Sequence, residues 1–229
     1  MIKLGSTDIG KLYLGTTEIN KAYLGSDLVY DVGGVTPVLP YDAEVEYLQS
    51  SATQYINTGV NITPDFKCEV RGLFTSNRKR NDNLLGCTDD QTYGFGIPCA
   101  INSSDNFYAQ FGSASTAVGT SGLVLTTIIT TLQNGNCTIE CDGSVLSSIS
   151  TGTQIPTSAL YMFARNYNGS PSGQANAKIY YCKLWKNGAL VRNFVPVRVG
   201  TTGYMYDRVS GQLFSNDGSG SFTYGNDIN

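Results

Sequence analysis

The segment AKIYYCKLWKNGALVRNFVPVRV, residues 177–199, carries the pattern that decides the fold. Two runs in which apolar and polar residues alternate lie on either side of Asn187-Gly188. Alternation with a period of two residues is typical of a β-strand with one buried face. An Asn-Gly pair between two such runs favours a type I′ hairpin turn. The segment therefore predicts an antiparallel β-hairpin.

Runs of the same kind extend over residues 41–226 and are separated by turn residues. Asp142-Gly143 predicts a second type I′ turn, and Asn134-Gly135 predicts a third. No window shows a sustained 3.6-residue apolar period, so any helix is expected to be short. Strands at this spacing favour two packed antiparallel sheets over βαβ units. We therefore expect an all-β antiparallel sandwich in a domain that covers residues 41–229.

The composition excludes several classes of catalytic and binding site. The chain of 229 residues has no histidine, which excludes Ser-His and Cys-His nucleophile pairs and imidazole metal ligands. The formal net charge of −3 argues against a nucleic-acid-binding protein, which usually carries a basic stripe. No run approaches 18 apolar residues, and the N-terminus lacks the apolar stretch of a secretory signal. We therefore expect neither a membrane span nor a cleaved leader.

Six cysteines lie scattered through the predicted domain, and no two of them have CxxC spacing. A domain of this size is stable without disulfides, so we expect reduced, mostly buried thiols that pack as small apolar side chains. Metal binding by these residues is not expected. They are Cys68, Cys87, Cys99, Cys137, Cys141 and Cys182.

Residues 1–33 contain a repeat with a period of ten: LGSTDIGKLY (4–13), LGTTEINKAY (14–23) and LGSDLVY (24–30). The period predicts short strands that reverse at Gly5, Gly15 and Gly25. Each unit is too poor in apolar residues to fold alone, so we expect the arm to order against a partner or against its own copies; a floppy tail is the alternative. Residues 34–40 form a linker. The residues expected to make these contacts are Leu4, Ile9, Tyr13, Leu14, Ile19, Tyr23, Leu24 and Leu28.

Three stretches carry a resemblance to a known fold family: VEYLQSSATQYINTGV (45–60), LVLTTIITTLQNGNCTIECDGSVL (123–146) and the segment 177–218 that ends GYMYDRVSGQLFSNDG. Together they resemble laminin-G-like, concanavalin-type jelly rolls. The arm ending LGSDLVYD, followed by such a domain, is similar to structural proteins of phages and prophages of gut bacteria. The resemblance implies a non-enzymatic virion subunit, a fibre or decoration protein of tail or head, assembled in the bacterial host cytoplasm.

The resemblance also implies the partners. The arm would bind other virion proteins or form a homo-oligomer, with a trimer as the first expectation. Several copies held together would make weak adhesion to host surface polysaccharide effective. Neither nucleic acid nor membrane is an expected partner. The alternative is a secreted or cell-surface bacterial carbohydrate-binding protein, or a glycosidase with a concanavalin-like fold.

Sugar binding uses aromatic rings for stacking and polar side chains for directional hydrogen bonds. The segment ARNYNGSPSGQAN (164–176) reads as a long loop without strand character, and long loops in compact domains are often functional. It predicts a ligand site. The candidate ligand-binding residues are Arg165, Asn166, Tyr167 and Asn168 of this loop, together with Tyr93.

The sequence also offers residues for two further kinds of site. Calcium suits a chain without histidine, and Asp82, Asp89 and Asp90 flank a predicted strand, although solvated turn residues are the simpler interpretation. A glycosidase needs two carboxylates on either side of the scissile bond. The closest sequence to a glucanase motif is Glu140-Cys141-Asp142, which lacks a third carboxylate because residue 145 is Val. We expect no enzyme activity and no obligatory cofactor.

Overall fold

A computed structural model gives the fold of the chain. It describes residues 39–76, 82–89, 94–101, 105–111, 114–150 and 155–228, together with six short strands between Lys3 and Asp31. The chain divides into two compact units, Met1–Leu39 and Pro40–Asn229. The described residues form strands, turns and loops without a helix, and none of their segments is a helix that could cross a bilayer.

The described residues of the first unit form three separate two-stranded hairpins. The closing pairs are Leu4↔Thr7, Leu14↔Thr17 and Leu24↔Asp27, so the chain reverses at the three positions that the repeat predicts. Of the residues proposed for assembly, seven lie in these strands and Ile9 lies outside the described residues; their role stays a prediction. The strands are β1 Lys3–Leu4, β2 Thr7–Asp8, β3 Leu12–Leu14, β4 Thr17–Ile19, β5 Lys21–Leu24 and β6 Asp27–Asp31.

The second unit contains a large sheet of twelve strands with the order β17-β16-β15-β10-β21-β22-β23-β24. Four further strands pair with this path. β8 pairs with β21 and β7 pairs with β22, and the C-terminal strands β25 and β26 pair with β8 and β7 respectively. These strands are β7 Ala43–Val45, β8 Leu48–Ser51, β10 Phe66–Phe74, β15 Thr126–Gln133, β16 Asn136–Cys141, β17 Ser144–Ser150, β21 Asn176–Lys186, β22 Ala189–Val199, β23 Thr202–Asp207, β24 Gln212–Phe214, β25 Thr223–Tyr224 and β26 Asp227–Ile228.

A smaller sheet of eight strands has the order β14-β13-β12-β11-β18-β9. β19 pairs with β11 in parallel and with β20 in antiparallel orientation, and all other strand pairs among the described residues are antiparallel. These strands are β9 Ile56–Asn61, β11 Leu85–Thr88, β12 Gly94–Ile101, β13 Asn106–Phe111, β14 Ala114–Ser121, β18 Ala159–Met162, β19 Arg165–Tyr167 and β20 Ser170–Ser172.

One hydrophobic core lies between the two sheets and receives side chains from both. The alternation along β10 shows how a strand contributes one of its faces to this core. Phe66, Cys68 and Val70 are buried, while the residues between them are only half-buried. Across the sandwich, the Phe74 ring of the large sheet lies 5.9 Å from the Phe107 ring of the small sheet. The chain is therefore an antiparallel β-sandwich, as the alternating pattern predicts.

The three predicted type I′ turns are confirmed. Both central residues of such a turn need positive φ, which Asn, Asp and Gly tolerate best. The φ angles are 53° and 72° at Asn134-Gly135, and 47° and 81° at Asp142-Gly143. At Asn187-Gly188 they are 49° and 76°. Each turn joins two neighbouring strands of the large sheet.

Five cysteines are free and buried, as predicted, and Cys99 lies on β12. Burial disfavours the charged thiolate. It raises the pKa of Cys68, Cys87 and Cys182 far above the usual thiol range, and the pKa of Cys137 to about 12. These thiols are therefore packing groups with little nucleophilic character at neutral pH.

We predict that a thiol-specific reagent at pH 8 modifies no more than one of the six cysteines of the native protein quickly. The five buried thiols react only when the chain opens, because the reacting species is the exposed thiolate. All six should react after unfolding in guanidinium. Absorbance of the released chromophore counts the reacted thiols, and rapid reaction of two or more in the native state would contradict this packing.

Candidate functional site

A pair of stacked tyrosines lies on the outer side of the small sheet. Along β9 the buried residues Ile56 and Thr58 alternate with the exposed Asn57, so the Asn57 side chain points away from the core. Tyr161 of β18 is the cross-strand partner of Asn57, and such partners point to the same side of a sheet. The ring of Tyr55 covers Tyr161, with ring centroids 4.9 Å apart and planes inclined by 25°.

The C-terminal segment holds this tyrosine pair in place. Asp217 accepts a hydrogen bond from the Asn57 amide at 2.8 Å, and its own amide donates to the Tyr55 carbonyl at 2.9 Å. The Asn216 side chain accepts from the Tyr55 amide at 3.2 Å. Burial, then the neighbouring Tyr55 and Asp217, raise the pKa of Tyr161, so its hydroxyl stays protonated. It donates to the Gly169 carbonyl at 3.3 Å.

Arg165 lies two strands from Tyr161 on the same outer side. Gly86 of β11 pairs with Tyr161 on β18 and with Arg165 on β19, which places the three in one row across the sheet. A Cβ at Gly86 would lie 3.3 Å from the Arg165 Cβ, so the glycine gives the arginine its room. Arg165 Nη2 donates to Ser172 Oγ at 3.3 Å, while its buried Nε has no acceptor within the described part of the chain. Because Nε is buried, the terminal nitrogens of this half-buried guanidinium are the donors that can reach a ligand.

We call Tyr55, Asn57, Tyr161, Arg165 and Asp217 the tyrosine cluster. It offers a partly exposed aromatic ring, an exposed amide, an exposed carboxylate and a half-buried guanidinium on one side of the sheet. Of these five residues, only Arg165 is predicted from the sequence as a ligand-binding residue. The others are far apart along the chain and form no motif, so pairing across strands is what brings them together.

The predicted loop 164–176 is wrong in its secondary structure, because it contains the hairpin β19–β20. Its turn is Asn168-Gly169, with φ angles of 46° and 89°. Asn168-Gly169 is the same kind of turn signal as the Asn-Gly and Asp-Gly pairs of the three predicted turns. The sequence therefore contains the signal for this hairpin. Tyr167 is half-buried, Asn168 is exposed at the turn, and Tyr93 lies outside the described residues.

Asn166, which the sequence proposes as a ligand-binding residue, holds this hairpin together with its side chain. Its side chain is 4% exposed. The amide nitrogen donates to the Ala159 carbonyl at 2.8 Å, and the amide oxygen accepts from the Gly169 N–H at 2.7 Å. Both ends of the amide are thus used to hold the turn against β18.

The aspartates named as possible calcium ligands are buried or hydrogen-bonded within the protein where the structure describes them. Asp82 is buried, and Asp90 lies outside the described residues. Asp89 accepts hydrogen bonds from the amides and hydroxyls of Thr157 and Ser158, at 2.6–3.0 Å. Burial acts to raise the Asp89 pKa, but these four bonds outweigh it and lower the pKa below 3.8. The described residues contain no group of three metal-ligating side chains, and calcium stays a prediction.

Asp142 of the glucanase-like sequence, and two carboxylates that share a face of the first strand of the domain, Glu44 and Glu46, have structural partners. Asp142 sits in a type I′ turn and accepts a hydrogen bond from the Thr127 amide at 2.9 Å. Glu44 accepts two hydrogen bonds from Arg208, at 2.6 and 2.8 Å. Glu46 accepts one from the Asn226 amide at 3.1 Å. These contacts stabilise turns and the pairing of the chain ends.

No protein-family model matches the sequence, and no curated protein matches it. Among solved structures, a "putative carbohydrate binding protein" from Bacteroides ovatus has a TM-score of 0.55 at 13% identity, over 79% of this chain. The match spans 60% of the Bacteroides ovatus protein, and at this identity it shows the β-sandwich fold alone.

Two weaker likenesses are to sialidase-related structures. The CBM40 of Ruminococcus gnavus IT-sialidase gives a TM-score of 0.45 at 7% identity, over 64% of this chain and 91% of that one. Trypanosoma rangeli sialidase gives 0.43 at 16% identity, over 56% of this chain and 21% of that one.

We predict that Asp89→Asn lowers the free energy of unfolding by about 2 kcal/mol at pH 7, because hydrogen bonds to a charged acceptor are lost. The folded-state pKa of Asp89 is lowered, so its contribution is complete above the unfolded pKa and is lost as the pH falls through the folded value. Urea unfolding of both proteins should therefore show the difference shrinking below pH 3.8. A difference that is the same at pH 7 and at about pH 2 would contradict the role of the charge.

Proposed function

We propose that the sandwich is a non-catalytic carbohydrate-binding domain and that the tyrosine cluster is its ligand site. The observation that carries the proposal is the stacked pair Tyr55–Tyr161, flanked in the same surface by Asn57 and Arg165. Aromatic faces bind the C–H side of a sugar ring, and a few polar groups fix its orientation.

Each member of the cluster has a chemical role in this proposal. The partly exposed Tyr55 ring supplies the stacking surface, and Tyr161 beneath it keeps that ring in place. Asn57 and Asp217 supply acceptors for sugar hydroxyls, and Asn57 also supplies donors. Arg165 supplies the guanidinium donors that its contact with Ser172 leaves over.

The fold supports the proposal, since the similar Bacteroides ovatus structure is described as a putative carbohydrate binding protein. The chemistry supports binding over hydrolysis. Glycoside hydrolysis needs two carboxylates beside the scissile bond, and Asp142, Glu44 and Glu46 are engaged in structural hydrogen bonds. These contacts favour binding without hydrolysis.

The second part of the proposal concerns how the domain is displayed. Three hairpins of two to five residues per strand reverse at equivalent positions of the repeat. Isolated hairpins of this size are marginally stable in water, which favours an arm that orders on assembly. We propose attachment or self-assembly through this arm, on a virion as the resemblance to phage structural proteins implies. Mass spectrometry of purified particles tests that placement.

We predict that Arg165→Ala and Tyr55→Ala each weaken glycan binding at least about tenfold, because each removes one essential kind of contact. A glycan array identifies the ligand, and titration calorimetry with that ligand measures the loss. The matched control is Tyr204→Ala, which removes a half-buried tyrosine from the large sheet.

Thermal unfolding checks that all three variants remain folded. Full affinity in both Arg165→Ala and Tyr55→Ala would contradict the site. Release of free sugar from a bound glycan would contradict the non-catalytic assignment.

For the arm, we predict that light scattering of the full-length protein gives the mass of an oligomer, with a trimer expected. Leu14→Asp combined with Leu24→Asp should shift the mass to that of a monomer, because charges would disfavour burial of these strands. Val209→Asp is the control, since Val209 is 47% exposed in the second unit. A monomeric unmodified chain would contradict self-assembly and leave attachment to another protein.

A further inference from the structure

The outer face of the large sheet carries a second group of aromatic and charged side chains. Along β10 the half-buried residues Lys67, Glu69 and Arg71 alternate with core residues, so their side chains point away from the core. On β21 their cross-strand partners are Trp185, Lys183 and Tyr181, in that order. We call these six residues the tryptophan face.

Two cations of the tryptophan face lie over aromatic rings. Lys67 Nζ is 4.8 Å from the centre of the Trp185 ring, and Lys183 Nζ is 5.0 Å from that of Tyr181. An aromatic face attracts positively polarised groups because its π electrons carry partial negative charge. The C–H bonds of a pyranose ring are polarised in the same sense, so a sugar ring can take the place of an ammonium group.

The six residues of the tryptophan face include three cations and one carboxylate. Glu69 is the one carboxylate of the six residues and lies 3.4 Å from Lys183 Nζ. It also forms a hydrogen bond with Tyr181, and burial together with this contact raises the Tyr181 pKa. Arg71 Nη1 donates to Thr127 Oγ1 at 2.9 Å. Three cations against one carboxylate stand out in a chain whose net charge is −3.

We propose that the tryptophan face is a second binding surface and that its ligand is an acidic polysaccharide, with sugar rings on Trp185 and Tyr181 and acidic groups paired with Lys67, Lys183 and Arg71. The proposal rests on the proposed function only in treating the sandwich as a carbohydrate-binding domain. A polysaccharide is favoured over a nucleic acid because the fold is similar to that of a "putative carbohydrate binding protein". Glu69 and, through Ile129, Glu140 of β16 lie in the same row as Lys183 and would repel either polyanion, so the cations that acidic groups meet with least repulsion are Lys67 and Arg71, which lie outside that row.

The experiment uses the single tryptophan of the chain as its reporter. The full-length protein is titrated with polygalacturonate while Trp185 fluorescence is recorded. We expect a saturable change in emission and an affinity that falls at least about tenfold between about 50 mM and about 500 mM NaCl, since salt screens exposed charges. Neutral dextran should leave the emission unchanged.

The variant Lys67→Gln/Lys183→Gln should weaken polygalacturonate binding at least about tenfold, because it removes two of the three cations. The matched control is Lys178→Gln. Lys178 lies on the same strand and covers a tyrosine ring, Tyr47, at 4.0 Å, outside the tryptophan face. The Lys178→Gln variant should bind polygalacturonate as the unmodified protein does. Urea unfolding checks that both variants are folded.

Arg165→Ala separates this proposal from the proposed function, because it should leave the polygalacturonate titration unchanged even where it abolishes binding of an array glycan. The proposal would be overturned by an unchanged Trp185 emission, by equal binding of the Lys67→Gln/Lys183→Gln variant, or by tighter binding of poly(dT) than of polygalacturonate. A lost response in Arg165→Ala would also overturn it, since one site would then serve both ligands.

Discussion

The double pairing of β10 is the constraint on which the rest of the sandwich depends. β15 and β21 both pair with it in antiparallel register from Phe66 onward, so this strand has hydrogen-bonded neighbours on both edges. Side chains alternate between the two faces of a strand, and a slip of one residue would exchange the buried and exposed sets. The register therefore decides which residues of three strands build the core and which build the outer face.

The same constraint shapes the two surfaces to which we assign ligands. On the large sheet, the register that buries Cys68 and Cys182 also places Lys67 opposite Trp185 and Glu69 opposite Lys183. On the small sheet, pairing of β9 with β18 and of β18 with β11 aligns Asn57, Tyr161 and Gly86. Arg192 links the sheets, since its Nε donates to the Thr58 carbonyl at 3.2 Å. The register of the strands therefore determines both the packing of the core and the side chains that meet on each surface.

Sequence reasoning succeeded where the signal is local. An Asn-Gly or Asp-Gly pair between alternating runs specifies a turn through the φ angles that these residues tolerate, and the turns at 134–135, 142–143 and 187–188 follow. It failed in the segment 164–176, where Pro171 and several small polar residues obscured the short strands β19 and β20. The parallel pairing of β19 with β11 has no local signature, and this pairing is what buries the Asn166 amide.

The sequence by itself determined the all-β class, the reversals of the N-terminal repeat, the free and buried cysteines and the lack of imidazole chemistry. Each of these depends on residue type or on neighbours within a few positions. Only the tertiary structure decided that Tyr55, Tyr161 and Asp217 meet, that Asp89 holds Thr157 and Ser158, and that cations lie over Trp185. Such contacts join residues up to about 160 positions apart, and long-range strand register leaves no trace in local sequence.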